Sequence, residues 1–351
     1  MIKVYFIHPS CSNIDDFASY ICISEDLKKN LIWDSVNPDI LFASEWVYNK
    51  KTAFKKFRKL WNKAKVKVMY AAEAIEPDFN LFDYFIGFSN KCQMGDRFIR
   101  ILSPLDMFSG FITTVENDIC TLEKAADSLK QKHGFCNFLY SNWNAHPRRD
   151  QLFYALSSYK KVDSLGKHLN NVGKLGTGFV GHASECSDIK SLYKFSIASE
   201  NATFDGYTSE KVYTSLVAHT IPIYWGNKDI EEDVNPKAII NANNFSSLKE
   251  LIDYVKYVDT NDSVWMQMVA EPWMTEEQML HHKQRTREYY SFLKWLFSGN
   301  LEEKKRLAFG TAEQNYRMFL FDHIFSRDLN MKTLPRYIKI LKNKMKRIIN
   351  G

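Results

Sequence analysis

The segment Tyr193–Gly226, YKFSIASENATFDGYTSEKVYTSLVAHTIPIYWG, constrains this chain more than any other. It reads as a buried strand over Tyr193–Ala198, a polar loop through Ser199, Glu200 and Asn201, a helix, and a second buried strand over Ile221–Trp225. Gly206 permits a tight turn, and Thr208 or Ser209 is placed to cap a helix whose first turn holds Glu210 and Lys211. Val212, Leu216 and Val217 give that helix an apolar face to lay on a sheet. A helix joining two apolar strands makes a parallel β-α-β unit. A lysine in the first turn opposes the positive end of the helix dipole unless an anion sits there, when backbone N–H groups, dipole and ammonium converge on it. An ordinary solvated lysine is the competing explanation.

Two such series run along the chain. Strands are expected at Lys3–Ile7, Ile40–Ala43, Val66–Tyr70 and Tyr84–Phe88, with an amphipathic helix over Phe54–Trp61 and a connecting helix over Leu122–Gln131. A second set is expected at Phe135–Tyr140, Lys161–Ser164, Tyr193–Ala198, Ile221–Trp225 and Ala238–Ile240. Its helices are expected near Arg149–Ser158, Ile189–Tyr193, Ser209–His219 and Leu248–Val255. Alternating strands and helices predict an α/β protein of two Rossmann-like domains with parallel sheets facing a cleft. The expected division is 1–132, then 133–300, then a helical C-terminal segment 301–351.

At 351 residues the chain is long for one core, and 45% hydrophobic with 15% aromatic residues suits a packed enzyme. The six cysteines show no C-x-x-C spacing, so reduced thiols in a cytoplasmic protein are expected. MIKVYFIHPS reads as a first strand rather than a leader, and no apolar run nears the roughly 20 residues of a membrane span. The net charge of +6 is concentrated in 331–351, where seven basic residues and no acidic one occur, leaving the rest near −1. Tyr337, Leu341, Met345 and Ile348 recur there at helical spacing. The expectation is a basic amphipathic helix holding the protein at an anionic inner membrane face, with packing back on the body as the alternative. Nucleic acid is not expected, since no aromatic platform accompanies the charge.

Arg149 and Lys211 each follow a parallel strand's carboxyl end, where ligands bind in open α/β sheets. Together they would neutralise a diphosphate. No D-x-D triplet occurs, and no metal is expected. Gly176–Gly181 matches G-x-G-x-x-G, but no strand precedes it and no helix is expected to open on it, so it reads as a loop.

Several blocks resemble the bacterial α-1,3/4-fucosyltransferases, glycosyltransferase family 10. They are Tyr193-Lys194-Phe195, Glu200-Asn201, Gly206-Tyr207 with Glu210-Lys211, and Ile221-Pro222-Ile223-Tyr224-Trp225-Gly226. Upstream stand Ala72-Glu73, Pro77-Asp78-Phe79-Asn80, Ser141-Asn142 and Arg149; Asn235-Pro236-Lys237 lies downstream. The resemblance implies the GT-B arrangement and inverting transfer of L-fucose from GDP-fucose to the 3-hydroxyl of a lactosamine-type oligosaccharide, without a cofactor. It implies Glu73 as the base that deprotonates the acceptor hydroxyl, with Glu76 and Asp78 as neighbours to be separated by burial. It also implies donor contacts from Arg149, Asn201, Tyr207, Glu210 and Lys211, with Ser141 and Asn142 beside them. Glu200 is either a donor contact or a structural carboxylate bound to loop N–H groups. Acceptor choice is expected in residues 8–35 and 89–120. The alternatives are a 1,4 linkage, another GDP-deoxyhexose, or a non-catalytic membrane-surface binding protein.

Overall fold

The computed structural model describes residues 1–101, 115–116, 118, 120–173, 183–308 and 310–326. The basic tail 331–351 and the Gly176–Gly181 motif lie outside the described residues.

Among the described residues eleven strands form two parallel sheets. The first holds β1 (Ile2–Ile7), β2 (Leu31–Trp33), β3 (Ile40–Ala43), β4 (Val66–Tyr70), β5 (Tyr84–Gly87) and β6 (Phe98–Arg100), in the order β2-β1-β3-β4-β5-β6. The second holds β7 (Gly134–Phe138), β8 (Val162–Ser164), β9 (Tyr193–Ser199), β10 (Ile221–Trp225) and β11 (Ile240–Asn241), in the order β11-β10-β9-β7-β8. Both sheets reverse direction after their first strand, between β1 and β3 and between β7 and β9. Such a switch point parts the flanking loops and opens a crevice at the carboxyl edge. The strands β3, β4, β5 and β10 are buried along their whole length, which is why β3, β5 and β10 read as unbroken apolar runs and β4 as one broken only by the buried Lys67.

The boundary expected at 300 does not separate the cores. The helix Glu276–Leu296 begins beside the second domain, where Gln278 donates from its amide to the Glu231 carbonyl at 2.8 Å. It ends in the first domain, where Tyr289, Phe292, Leu293 and Leu296 join Val4, Phe6 and Phe42 in one core. The Tyr289 hydroxyl donates to the Ile21 carbonyl at 2.7 Å. The helix Ile14–Tyr20 covers part of that face of the first sheet, and this returning helix covers more of it.

One helix and one strand differ from their expected places. Ala183–Lys190 is helical, and it stops where a helix over Ile189–Tyr193 was expected because β9 already begins at Tyr193. A helix does therefore open after the glycine motif, although residues 170–173 before it form no strand. The expected strand Ala238–Ile240 is a 3-10 turn, Pro236–Ala238, leading into β11; proline at the first turn position favours the turn.

A buried ionic cluster joins the domains. Asp233, fully buried, accepts from Arg100 at the end of β6 at 3.0 and 3.2 Å and from Arg285 of the long helix at 3.1 Å. Thr208 of the loop after β9 donates to the same carboxylate at 3.3 Å. Burial pushes the Asp233 carboxyl up, and the two guanidiniums pull it back. Nearby, Gly206 has φ +82°, and a Cβ there would drive into the Phe88 carbonyl of the first domain. The second domain's loop can come this close only with glycine.

Candidate active site

The carboxyl edges of the two sheets face each other across a cleft of about 990 Å³, lined by Glu45–Lys50 and Glu73–Asp78 from one side and Asn142, Asn144, Asn201 and Ala202 from the other. Three groups of the expected residues meet at this edge.

The first group surrounds Arg149. The helix Arg148–Tyr159 starts after the loop that follows β7, so Arg149 sits at its N-terminus beneath the β7–β9 switch point. Its side chain is 1% exposed. The guanidinium lies over the Tyr140 ring, 4.5 Å from its centroid, donates to Asn201 Oδ1 at 3.3 Å, and donates from Nη2 to the Asn142 carbonyl. Its Nε is buried with no hydrogen-bond partner and lies 4.0 Å from Asp150. A buried, unsatisfied guanidinium N–H is costly unless an acceptor arrives. Asn142 and Asn201 line the cleft, so they stand between the guanidinium and the open space. A bound phosphate would take Nη2 from the Asn142 carbonyl. Ser141, one residue earlier, is exposed.

The second group surrounds Lys211. Ser209 is the cap of the helix Glu210–Val217, not Thr208, whose hydroxyl is committed to Asp233. Lys211 Nζ donates to Ser209 Oγ at 2.9 Å and lies 3.4 Å from both Glu200 and Glu210. Burial opposes its charge, but the two carboxylates more than offset this and hold its pKa well above that of an ordinary lysine. Glu200, at the end of β9, has no exposure and accepts from the Ser209 N–H at 2.8 Å and the Ser209 hydroxyl at 2.6 Å. It matches the structural reading: a carboxylate bound to loop N–H groups at a helix start. Gly226 makes room for it, since a Cβ there would collide with the Glu200 side chain. Glu210 is half exposed, at 49%.

The third group crosses the cleft. Tyr207, buried on the second domain's loop, donates its hydroxyl to Glu73 Oε2 at 3.0 Å. Its ring stands edge-on to Phe88 of the first domain, 4.8 Å between centroids. Burial raises the phenol well above its usual range, so it remains a donor. Burial does not select Glu73 as expected, because Glu73 and Glu76 are both exposed. Asp78 is more enclosed, but it binds the Asn80 N–H at 3.1 Å and lies 3.7 Å from Arg317. What distinguishes Glu73 is the bond from Tyr207.

Sequence reasoning missed two residues here. Lys190, 5% exposed, donates to the Lys211 carbonyl at 3.0 Å, to Thr214 at 2.7 Å and to Ser215 at 3.0 Å, and burial pushes its pKa down to about 8. Glu45 is a buried carboxylate on the cleft wall. Neither belongs to a motif, and only the fold brings them to the site. Acceptor choice had been expected in residues 8–35 and 89–120, yet none of the described ones lines the cleft. The helix Ile14–Tyr20 instead buries Phe17 and Ala18 in the first core. Among the described residues no group of three His, Cys, Asp or Glu could hold a metal ion, and no helix is long and apolar enough to cross a membrane.

The family model described as glycosyltransferase family 10 (fucosyltransferase) C-term matches residues 129–306, just over half the chain. The α-(1,3)-fucosyltransferase FucT of Helicobacter pylori is 31% identical over 293 residues, covering 75% of this chain and 56% of that protein. An α-(1,4)-fucosyltransferase of Arabidopsis thaliana is 32% identical over 130 residues, covering 33% of this chain and 32% of that protein. The chain thus spans between a third and just over half of these relatives. A crystal structure of an α1,3-fucosyltransferase with GDP-fucose superposes with a TM-score of 0.64 at 25% identity, covering 85% of this chain and 91% of that one. The two facing sheets accordingly form the GT-B fold.

Proposed function

The chain belongs to glycosyltransferase family 10, and we propose that it transfers L-fucose from GDP-fucose, with inversion, to the 3-hydroxyl of N-acetylglucosamine in lactosamine-type glycans. The observation that carries this reading is the 3.0 Å bond from Tyr207 to Glu73. It joins a loop of the nucleotide-side sheet to a carboxylate of the opposite sheet, with two cations close behind. A sugar hydroxyl is a poor nucleophile, so Glu73 takes its proton as the oxygen attacks the anomeric carbon. The bond to the GDP oxygen breaks on the opposite face, which inverts the centre. Negative charge then grows on the leaving phosphate, where Arg149 and Lys211 supply the stabilisation that a metal provides elsewhere. Asn201 and Glu210 border the same space and are read as donor contacts.

Incubation with GDP-fucose and N-acetyllactosamine in excess chelator, followed by linkage analysis, tests this. Full activity and a 1,3-linked product are expected. A strict metal requirement would refute the cationic role of Arg149 and Lys211, and a 1,4-linked product would refute the regiochemistry. The reading also places the enzyme at the cytoplasmic face of a membrane through residues 331–351. Flotation with anionic but not neutral vesicles, lost on deleting 331–351, is the expected result.

A further inference from the structure

Glu45 precedes the short helix Trp46–Asn49 and makes no side-chain capping bond to it. It is 8% exposed, and its carboxylate is held only by backbone N–H groups, its own and, at a long 3.4 Å, that of Ala72. No described cation pairs with it. Burial raises its pKa, and the neighbouring charge of Glu73 pushes in the same direction. A buried carboxylate with no cation and only backbone N–H groups near it keeps lone pairs to offer a ligand. It lies on the cleft wall with Glu73, beside Trp46, whose ring carries the Lys50 ammonium 5.2 Å from its centroid. One oxygen suffices for Ala72. Glu45 itself borders the space into which the acceptor must come if Glu73 is the base.

We propose that Glu45 is an acceptor-sugar ligand, taking a hydrogen bond from a hydroxyl next to the one that reacts and so presenting the nucleophile to Glu73. This rests on the fucosyltransferase reading above. It gives the site two carboxylates with separate tasks. Exposed Glu73 removes the proton, whereas buried Glu45 recognises a neighbouring hydroxyl of the same ring. It also locates acceptor choice in residues 45–50.

The test is steady-state kinetics of wild type and Glu45→Gln with GDP-fucose and N-acetyllactosamine, and with monodeoxy acceptors. The amide oxygen of Gln can still accept from Ala72, so the loop keeps its bond while the charged acceptor is lost. Acceptor KM should rise by about tenfold or more, as expected for a charge-assisted bond. KM for GDP-fucose, the thermal shift with GDP and hydrolysis of GDP-fucose by water should stay within about twofold, because water needs no recognition. One deoxy acceptor should lose about tenfold against wild type and almost nothing against Glu45→Gln, the signature of a coupled pair. Glu45→Asp, charged but shorter, should fall between the two. Strictly additive deoxy penalties, or an equal loss of hydrolysis and transfer, would overturn the Glu45 assignment alone. Absence of both transfer and hydrolysis in wild type would overturn the underlying reading and this proposal with it.

Discussion

On the side of the cleft proposed for the donor, Lys211 and Glu200 are locked together by several protein groups, whereas on the opposite side Glu73 and Glu45 have few partners. Lys211 touches Ser209, Glu200 and Glu210, and Glu200 is itself held by Ser209. Glu73 has the Tyr207 hydroxyl, and Glu45 has only backbone N–H groups. On the proposed reading, the difference follows from what each side would do. A diphosphate brings high, fixed charge, and prepositioned cations bind it without reorganisation. A sugar brings neutral hydroxyls, and a carboxylate left with free lone pairs can accept from them.

Removing charge on each side should therefore fail in different ways. The largest effect is expected for Glu73→Gln, which should lower kcat by about 10²–10⁴-fold with GDP binding unchanged, as judged by single-turnover kinetics and calorimetry. Lost GDP binding would erase the distinction between the two sides. Arg149→Lys and Lys211→Ala come next: each should cost about 10²-fold or more in kcat/KM and also shrink the GDP thermal shift. Lysine should not rescue Arg149, because the planar fork reaches Asn201, Asn142 and Tyr140 at once.

The same contrast extends to stability. Asp233→Ala leaves Arg100 and Arg285, largely enclosed at 13% and 20% exposure, without their shared carboxylate and should cost about 3 kcal/mol in denaturant titration. The Lys91–Asp205 pair, 2.8 Å apart but 63% and 42% exposed, should change stability by less than about 1 kcal/mol when Asp205 becomes Ala. Tyr207→Phe is expected to be mildest on catalysis: about a tenfold loss in kcat/KM, with the edge-on packing against Phe88 retained. An effect as large as that of Glu73→Gln would make the phenol a direct participant.

The parallel strands were readable because burial on both faces turns β3 and β10 into the apolar runs ILFA and IPIYW. Arg149 and Lys211 were readable because each stands at a helix start after a strand, a local pattern. Glu45 was not, since one carboxylate in an apolar neighbourhood carries no spacing signal. The Tyr207–Glu73 bond spans 134 positions, and no local rule links them. Nor could the pattern of Glu276–Leu296 show which sheet it covers, because an amphipathic helix fits any apolar face.

That helix also sets the order in which the molecule can be made. Translation delivers all six strands of the first sheet before the residues that seal their core, because Tyr289, Phe292 and Leu293 emerge only after the whole second sheet. The nascent first domain must wait with Val4, Phe6 and Phe42 incompletely covered, while the second can close around its own apolar residues. The chain thus reverses the usual rule that the segment synthesised first is the first to finish folding.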